Sequence, residues 1–143
     1  LEKKRLYDKE RQSHEQGNSA VGTEANKAIV RQFFEAVAKG SLDISLITSD
    51  FKLVEQAPKR ELSPEQMGQE LRNFVTAHPQ FQISIGEMIA EKGQVLVVIT
   101  LQPDMNTFAS SAAFVSRIEA GKIRSQEVFS AQGWLGGKAA NQA

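Results

Sequence analysis

The sequence has no cysteine, one tryptophan, one tyrosine and only two histidines among its 143 residues. Without cysteine the chain can form no disulfide, no thiolate nucleophile and no cysteine-ligated metal site. Two histidines alone do not supply the usual zinc ligand sets, and no phosphate-binding or nucleophile-elbow motif is present. The sequence therefore predicts neither a metal ion nor a cofactor.

Excess charge and long apolar runs are also missing. Seventeen basic residues balance seventeen acidic ones, so no overall field favours nucleic acid or an anionic membrane. No apolar stretch approaches the ~20 residues that span a bilayer. The composition, 41% hydrophobic and 24% charged, is ordinary for a soluble domain. We expect a cytoplasmic protein without nucleic-acid or membrane partners, and the absence of cysteine fits a reducing compartment.

The chain divides into one domain and two tails. Residues 1–22 have few large apolar side chains, too few to offset the entropy cost of ordering, so they predict a disordered tail or a frayed helix. Residues 23–135 are one domain's worth of periodic sequence. Residues 136–143 are rich in glycine and alanine and read as a C-terminal tail.

Three helices are predicted in the first half of the domain. The first begins at Thr23 and ends at Gly40, and one of its faces is apolar: Ile29, Val30, Phe33, Phe34 and Val37. A second, short helix carries Leu42, Leu46 and Ile47. The third begins at Ser63-Pro64-Glu65-Gln66, which combines an N-cap serine, a first-turn proline and a capping-box glutamine. A short strand over 51–56 and a polar loop over 57–62 separate the last two helices.

The second half alternates with the period of β-strands. Four long strands are predicted around the turns at Gly93 and Gly121, and strands joined so tightly are antiparallel neighbours. This order predicts an α+β domain with helices on one face of the sheet. The strand Val95–Leu101 is apolar on both faces, although helices on one side would cover only one of them. We therefore expect a homodimer formed through the outer sheet face.

Three stretches resemble the nuclear-transport-factor-2-like superfamily, which includes ketosteroid isomerase and the SnoaL-like polyketide cyclases. They are Asn26–Asp43, His78–Ile85 and Ile118–Ile123, and the resemblance extends over residues 24–134. It implies a cone-shaped α+β barrel of cystatin-like topology. In such a cone a curved antiparallel sheet wraps around three N-terminal helices, and an apolar pocket opens at the wide end.

The catalytic roles of the isomerase do not carry over to this chain. By this resemblance its tyrosine falls at or next to Phe33, its base at Gln56 and its second aspartate near Ala112 or Ala113, and none of these side chains can perform the role. General acid–base catalysis contributes about 10²–10⁴-fold, so the standard isomerisation is not expected. Glu55 and Glu127 are the remaining catalytic candidates, and either would need to point into the cone. The resemblance also implies that Gln126 points inward and Glu127 outward.

The predicted ligand-binding residues are Phe33, Gln56, His78, Gln126, Ser130 and Trp134. Gln56, Gln126 and Ser130 should face the cavity, where they bind either a ligand or one another and water. Phe33 belongs either to the core or to the ligand site, and Trp134 either anchors packing or closes the cone. His78 either interacts with the helix C-terminus or lines the pocket mouth.

Three functions fit these features. The first is a small-molecule-binding protein that takes an apolar or amphipathic ligand and lacks the usual isomerase acid–base residues. The second is a SnoaL-like cyclase, isomerase or hydratase with non-standard acid–base residues. The third is a dimeric protein-interaction module whose cone is filled by its own side chains.

Overall fold

The computed structural model of the chain describes residues 22–56 and 58–130. Two helices, one short 3₁₀ turn and six strands make up this part. In chain order they are α1 (22–38), the 3₁₀ turn Ile44–Leu46, β1 (Ile47–Gln56), β2 (Lys59–Leu62), α2 (Pro64–Ala77), β3 (Gln82–Glu91), β4 (Gln94–Gln102), β5 (Ser110–Glu119) and β6 (Lys122–Phe129). Neither helix offers an apolar span long enough to cross a membrane.

The apolar face of α1 forms the centre of the core, as the helical spacing predicts. Val30, Phe33, Phe34 and Val37 are at most 1% exposed. Gly40 ends the following turn at a φ of +85°, a conformation that glycine adopts without steric cost. A β-carbon at this position would lie 3.2 Å from Val75 Cγ2, so the turn packs closely against α2.

The prediction of a second helix is wrong. Residues 44–46 form only a 3₁₀ turn, because the Asp43 carboxylate accepts hydrogen bonds from the backbone N–H and the hydroxyl of Ser45. Ile47 already belongs to β1, where it is buried and pairs with Ile123 of β6. Three apolar residues at helical spacing also suit a turn followed by a strand, and tertiary burial decides between the two.

The predicted loop over 57–62 contains an edge strand. β2 pairs antiparallel with β1, and Leu62 lies opposite Leu53. Only Leu62 of its four residues is buried, so the strand has almost no apolar pattern in sequence. Backbone pairing with β1 holds it in place, and hydrophobic periodicity does not report such pairing.

The capping box of α2 forms as the sequence predicts. The Ser63 hydroxyl accepts a hydrogen bond from the Gln66 backbone N–H at 3.2 Å, and Gln66 Oε1 accepts one from the Ser63 N–H at 2.8 Å. The buried residues of this helix are Met67, Gly68, Leu71 and Phe74. His78 is its C-cap.

The six strands form one curved, open sheet in the order β2-β1-β6-β5-β4-β3. The α+β class and the cystatin-like topology are thus confirmed. The sheet is mixed, since β1 pairs parallel with β6 while every other pair is antiparallel. A bulge in β3 falls at Gly86, where a β-carbon would lie 2.8 Å from the Val98 carbonyl oxygen, so close approach of the strands requires glycine here.

Strand β4 separates the core from an apolar outer face. Val95, Val97, Ile99 and Leu101 point inward and are at most 5% exposed. On the opposite face Leu96 and Val98 remain 38% and 44% exposed. Cross-strand register extends this outer apolar surface to Ile89, opposite Leu96, and to Phe129, which is joined to Val98 through Ala113.

Candidate functional site

Aromatic side chains fill the interior between α1 and the sheet. Phe33, Phe34, Phe51 and Phe114 are at most 1% exposed. The Phe34 ring makes edge-to-face contacts with Phe33, at a centroid distance of 5.2 Å, and with Phe114, at 4.9 Å. Phe33 is therefore a core residue.

Gln126 is a buried polar residue within this apolar interior. Its side chain is fully buried on the inner face of β6, next to Leu53 of β1 and Ser116 of β5 by strand register. Gln126 Nε2 donates a hydrogen bond to the Ser116 hydroxyl at 3.0 Å. Gln126 Oε1 has no hydrogen-bond partner among the described residues. An unsatisfied buried acceptor costs about 1–3 kcal/mol, so this oxygen is a ready acceptor for a donor that enters the interior.

The predicted inward orientation of Gln56 is wrong. Phe51, Leu53 and Glu55 alternate into the interior along β1, so the next residue points outward. There the exposed Gln56 donates a hydrogen bond from Nε2 to Glu127 Oε2 at 2.8 Å. Glu127 also lies on the outer face, the orientation that the resemblance implies. The alternation of Phe51 and Leu53 already contained the signal that places Glu55 inside.

Glu55 is buried at the end of β1 and is held by an arginine. Arg60 of β2 donates a hydrogen bond from Nε to Glu55 Oε1 at 2.8 Å and another from Nη2 to Glu70 Oε1 of α2 at 3.0 Å. Side-chain exposure is 8% for Glu55, 33% for Arg60 and 23% for Glu70. The hydrogen bond to Glu55 and then the one to Glu70 raise the pKa of Arg60, so the guanidinium stays charged. Because the sequence predicts a loop where β2 forms, it does not identify Arg60 or Glu70 as partners of Glu55.

The other predicted ligand-binding residues lie near the ends of the elements. Half-buried His78 follows α2, its backbone N–H donates to the Phe74 carbonyl, and its ring lies 4.7 Å from the Phe74 ring. Ser130 follows β6 and is also half-buried. Trp134 lies outside the described residues. The ligand-binding roles of these residues stay predictions.

Acidic and histidine side chains do not converge on a possible metal site. Within residues 22–56 and 58–130, no group of three histidine, aspartate or glutamate residues could hold a metal ion. The polar groups that the fold brings to the inner side are instead an amide, a hydroxyl and the carboxylate of Glu55 with its arginine. Such a set can orient a ligand through hydrogen bonds, and its carboxylate could also accept a proton.

Comparison with known proteins identifies the fold. AclR of Streptomyces galilaeus, provisionally named a hydroxylase, shares 18% identity; the match covers 76% of this chain and 90% of AclR, with a TM-score of 0.65. A Kribbella flavida protein provisionally named a ketosteroid isomerase shares 13% identity over 78% of this chain and 82% of its own, with a TM-score of 0.64. A Jannaschia sp. CCS1 protein provisionally named a SnoaL-like polyketide cyclase shares 13% identity over 76% of this chain and 87% of its own, with a TM-score of 0.63.

The chain therefore has the nuclear-transport-factor-2-like fold, and its structural neighbours include proteins named as cyclases and isomerases. No protein-family model and no curated protein matches the sequence. The resemblance inferred from the sequence is confirmed at the level of the fold. At identities of 18% or less the neighbours establish that fold alone, because one fold supports many functions.

The Glu55–Arg60–Glu70 cluster yields a first prediction. Replacing Arg60 with methionine keeps the apolar stem and removes the charge, which leaves the Glu55 carboxylate buried without its guanidinium partner. We expect the free energy of unfolding to fall by about 1–3 kcal/mol, as measured by urea denaturation.

Arg124→Met is the matched control. Arg124 also lies between two carboxylates, Glu119 and Asp50, but all three side chains are about half exposed or more. Solvent screens such pairs, so this variant should unfold at the wild-type urea concentration. Equal unfolding midpoints for Arg60→Met and Arg124→Met would contradict a structural role for the buried cluster.

Proposed function

We propose that the protein binds a small apolar or amphipathic molecule inside the cone. The observation that carries this proposal is Gln126 Oε1, a fully buried acceptor that lies between Leu53 and Ser116 by strand register and has no hydrogen-bond partner among the described residues. Core packing alone favours an apolar residue at this position, because a buried amide with one unsatisfied atom weakens the fold. A ligand with a matching donor offsets that cost.

The surroundings of Gln126 define the chemistry of the ligand. The apolar walls formed by Phe51, Phe114 and Leu53 favour an aromatic or alicyclic body. The acceptor oxygen favours a hydroxyl or N–H donor on that body. A site with a buried acceptor discriminates strongly against an analogue that lacks the donor, because the analogue leaves the acceptor unpaired.

A pair of small aromatic probes tests this proposal. The wild-type chain should bind 2-naphthol about tenfold or more tightly than 2-methylnaphthalene, because only the naphthol can donate to Gln126 Oε1. In Gln126→Leu the two dissociation constants should become equal. Fluorescence titration of each probe provides the measurement.

Gln126→Leu removes the orphan oxygen, so the variant should be folded, and thermal unfolding checks this. Ser84→Leu, an exposed substitution on β3, is the control that should preserve the difference between the probes. If neither probe binds saturably, or if the difference survives in Gln126→Leu, the proposed site is wrong. Absence of binding would favour the interaction module with a filled cone.

An acid–base enzyme is the second candidate, and the burial of Glu55 favours it. The side chain of Glu55 points inward beside a polar partner, which is the condition that such chemistry requires. Glu127 does not meet this condition because it is exposed on the outer face. The substrate of such an enzyme would be a ketone with acidic α-protons, from which the Glu55 carboxylate would remove one.

Proton exchange tests this alternative. With 2-tetralone in D₂O, Glu55 catalysis predicts loss of the α-proton NMR signals faster than in buffer, and the Glu55→Gln rate should fall to the buffer rate. Glu127→Gln is the control that should exchange like the wild type. An exchange rate in the wild-type sample equal to that of buffer would exclude this activity for the probe and support binding without acid–base chemistry.

We also propose that the protein is a homodimer formed through the outer sheet face. Ile89, Leu96, Val98 and Phe129 are each 38–66% exposed on that face and are linked by strand register. A second copy of the same face would cover them. A stable dimer buries about 800 Å² on each partner, which this width of sheet could supply.

The dimer predicts a concentration-dependent mass in sedimentation velocity. The wild-type chain should sediment as a dimer at micromolar concentration. Val98→Lys, at the centre of the apolar surface, should be monomeric because it would bury an unpaired charge. Ser49→Lys, exposed on β1, should remain dimeric. A monomeric wild-type protein would contradict the proposal.

A further inference from the structure

A groove outside the cone lies between the α1–β1 connection and the first half of α2. Its volume is about 740 Å³, within the range of small-molecule sites. The residues that line it include Leu42, Ile44, Glu65, Gly68, Gln69 and Arg72. The side chains of Gln126 and Glu55 are not among them, so the groove is separate from the site proposed above.

One side of the groove is an apolar surface held in place by polar contacts. Ile44 is 70% exposed in the 3₁₀ turn, and Asp43 fixes that turn through its hydrogen bonds to Ser45. Leu42 lies beside Gly68, where an added β-carbon would be 3.8 Å from Leu42 Cδ2. Glycine is unfavourable in the middle of a helix, but here its missing side chain leaves room for the Arg72 guanidinium.

A positive charge lies beside Gly68 and Leu42, because an added β-carbon at Gly68 would be 3.3 Å from Arg72 Nη1. Arg72 Nη2 donates to Gln69 Oε1 at 2.9 Å, and Gln69 Nε2 in turn donates to Asn73 Oδ1 at 2.9 Å. These bonds orient the guanidinium, and within the described part of the chain Arg72 forms no ion pair. Glu65 also lines the groove and is not paired with Arg72.

We propose that this groove binds an apolar carboxylic acid. The carboxylate pairs with the Arg72 guanidinium above Gly68, and the apolar body lies over Leu42 and Ile44. Charge complementarity selects an anion at the Arg72 end, because this guanidinium has donors left over after its bond to Gln69. Glu65 elsewhere in the lining disfavours a second acidic group, so the ligand carries one carboxylate and an uncharged tail.

The test uses 2-naphthoate and the full chain labelled with ¹⁵N. Titration should produce saturable amide shifts in residues 40–44 and 64–72. Arg72→Gln and Ile44→Ser should each weaken binding about five- to tenfold, the first through the lost ion pair and the second through the lost apolar contact. Both positions are exposed, so both variants should unfold at the wild-type temperature.

Two matched controls separate this groove from other surfaces. Arg31→Gln removes an exposed helical arginine from α1, and Ile89→Ser removes an isoleucine that is 66% exposed on β3. Both should bind 2-naphthoate like the wild type, as should Gln126→Leu, which alters only the cone. The proposal would be overturned by any of three results. Either Arg72→Gln or Ile44→Ser binds with wild-type affinity, the shifts are confined to the cone, or the full chain shows no saturable shift.

Discussion

The parallel pairing of β1 with β6 is the constraint on which the rest of the interior depends. These strands lie far apart in sequence, yet their register places Leu53 beside Gln126 and Glu55 beside Val128. Because side chains alternate along each strand, this register decides which polar groups are enclosed. It places Gln126 and Glu55 inside and pairs Gln56 with Glu127 on the outer surface. The polar groups of the interior thus result from one strand pairing.

Two of the three buried polar residues, Glu55 and Gln126, are stabilised to different degrees. Glu55 shares the Arg60 guanidinium with Glu70, so its burial is compensated by charge and hydrogen bonds. The Gln126 amide is bonded through one atom only. A buried pair that is fully bonded contributes to structure, whereas a half-bonded amide keeps capacity for another molecule. This contrast is why Gln126, and not Glu55, carries the functional proposal.

Much of the fold follows from local sequence signals. The capping box beginning at Ser63, the glycine that ends α1 and the glycine turns between long strands are short-range features, and all of them form as predicted. The inward orientation predicted for Gln126 is also observed. The predictions of a short helix over 42–47 and a loop over 57–62 are wrong because a local sequence pattern does not report long-range strand pairing. Ile47 joins β6, and the polar strand β2 is held by β1.

The sequence by itself determined the fold class, the helical face that forms the core and the absence of cysteine chemistry, because composition and periodicity are properties of the chain alone. Tertiary structure decided that β1 pairs with β6, which encloses Glu55 and Gln126 on the same side of the sheet. It also brought Arg60 between Glu55 and Glu70 and placed Arg72 beside a groove. These arrangements depend on distances between separate elements, and no local pattern encodes such distances.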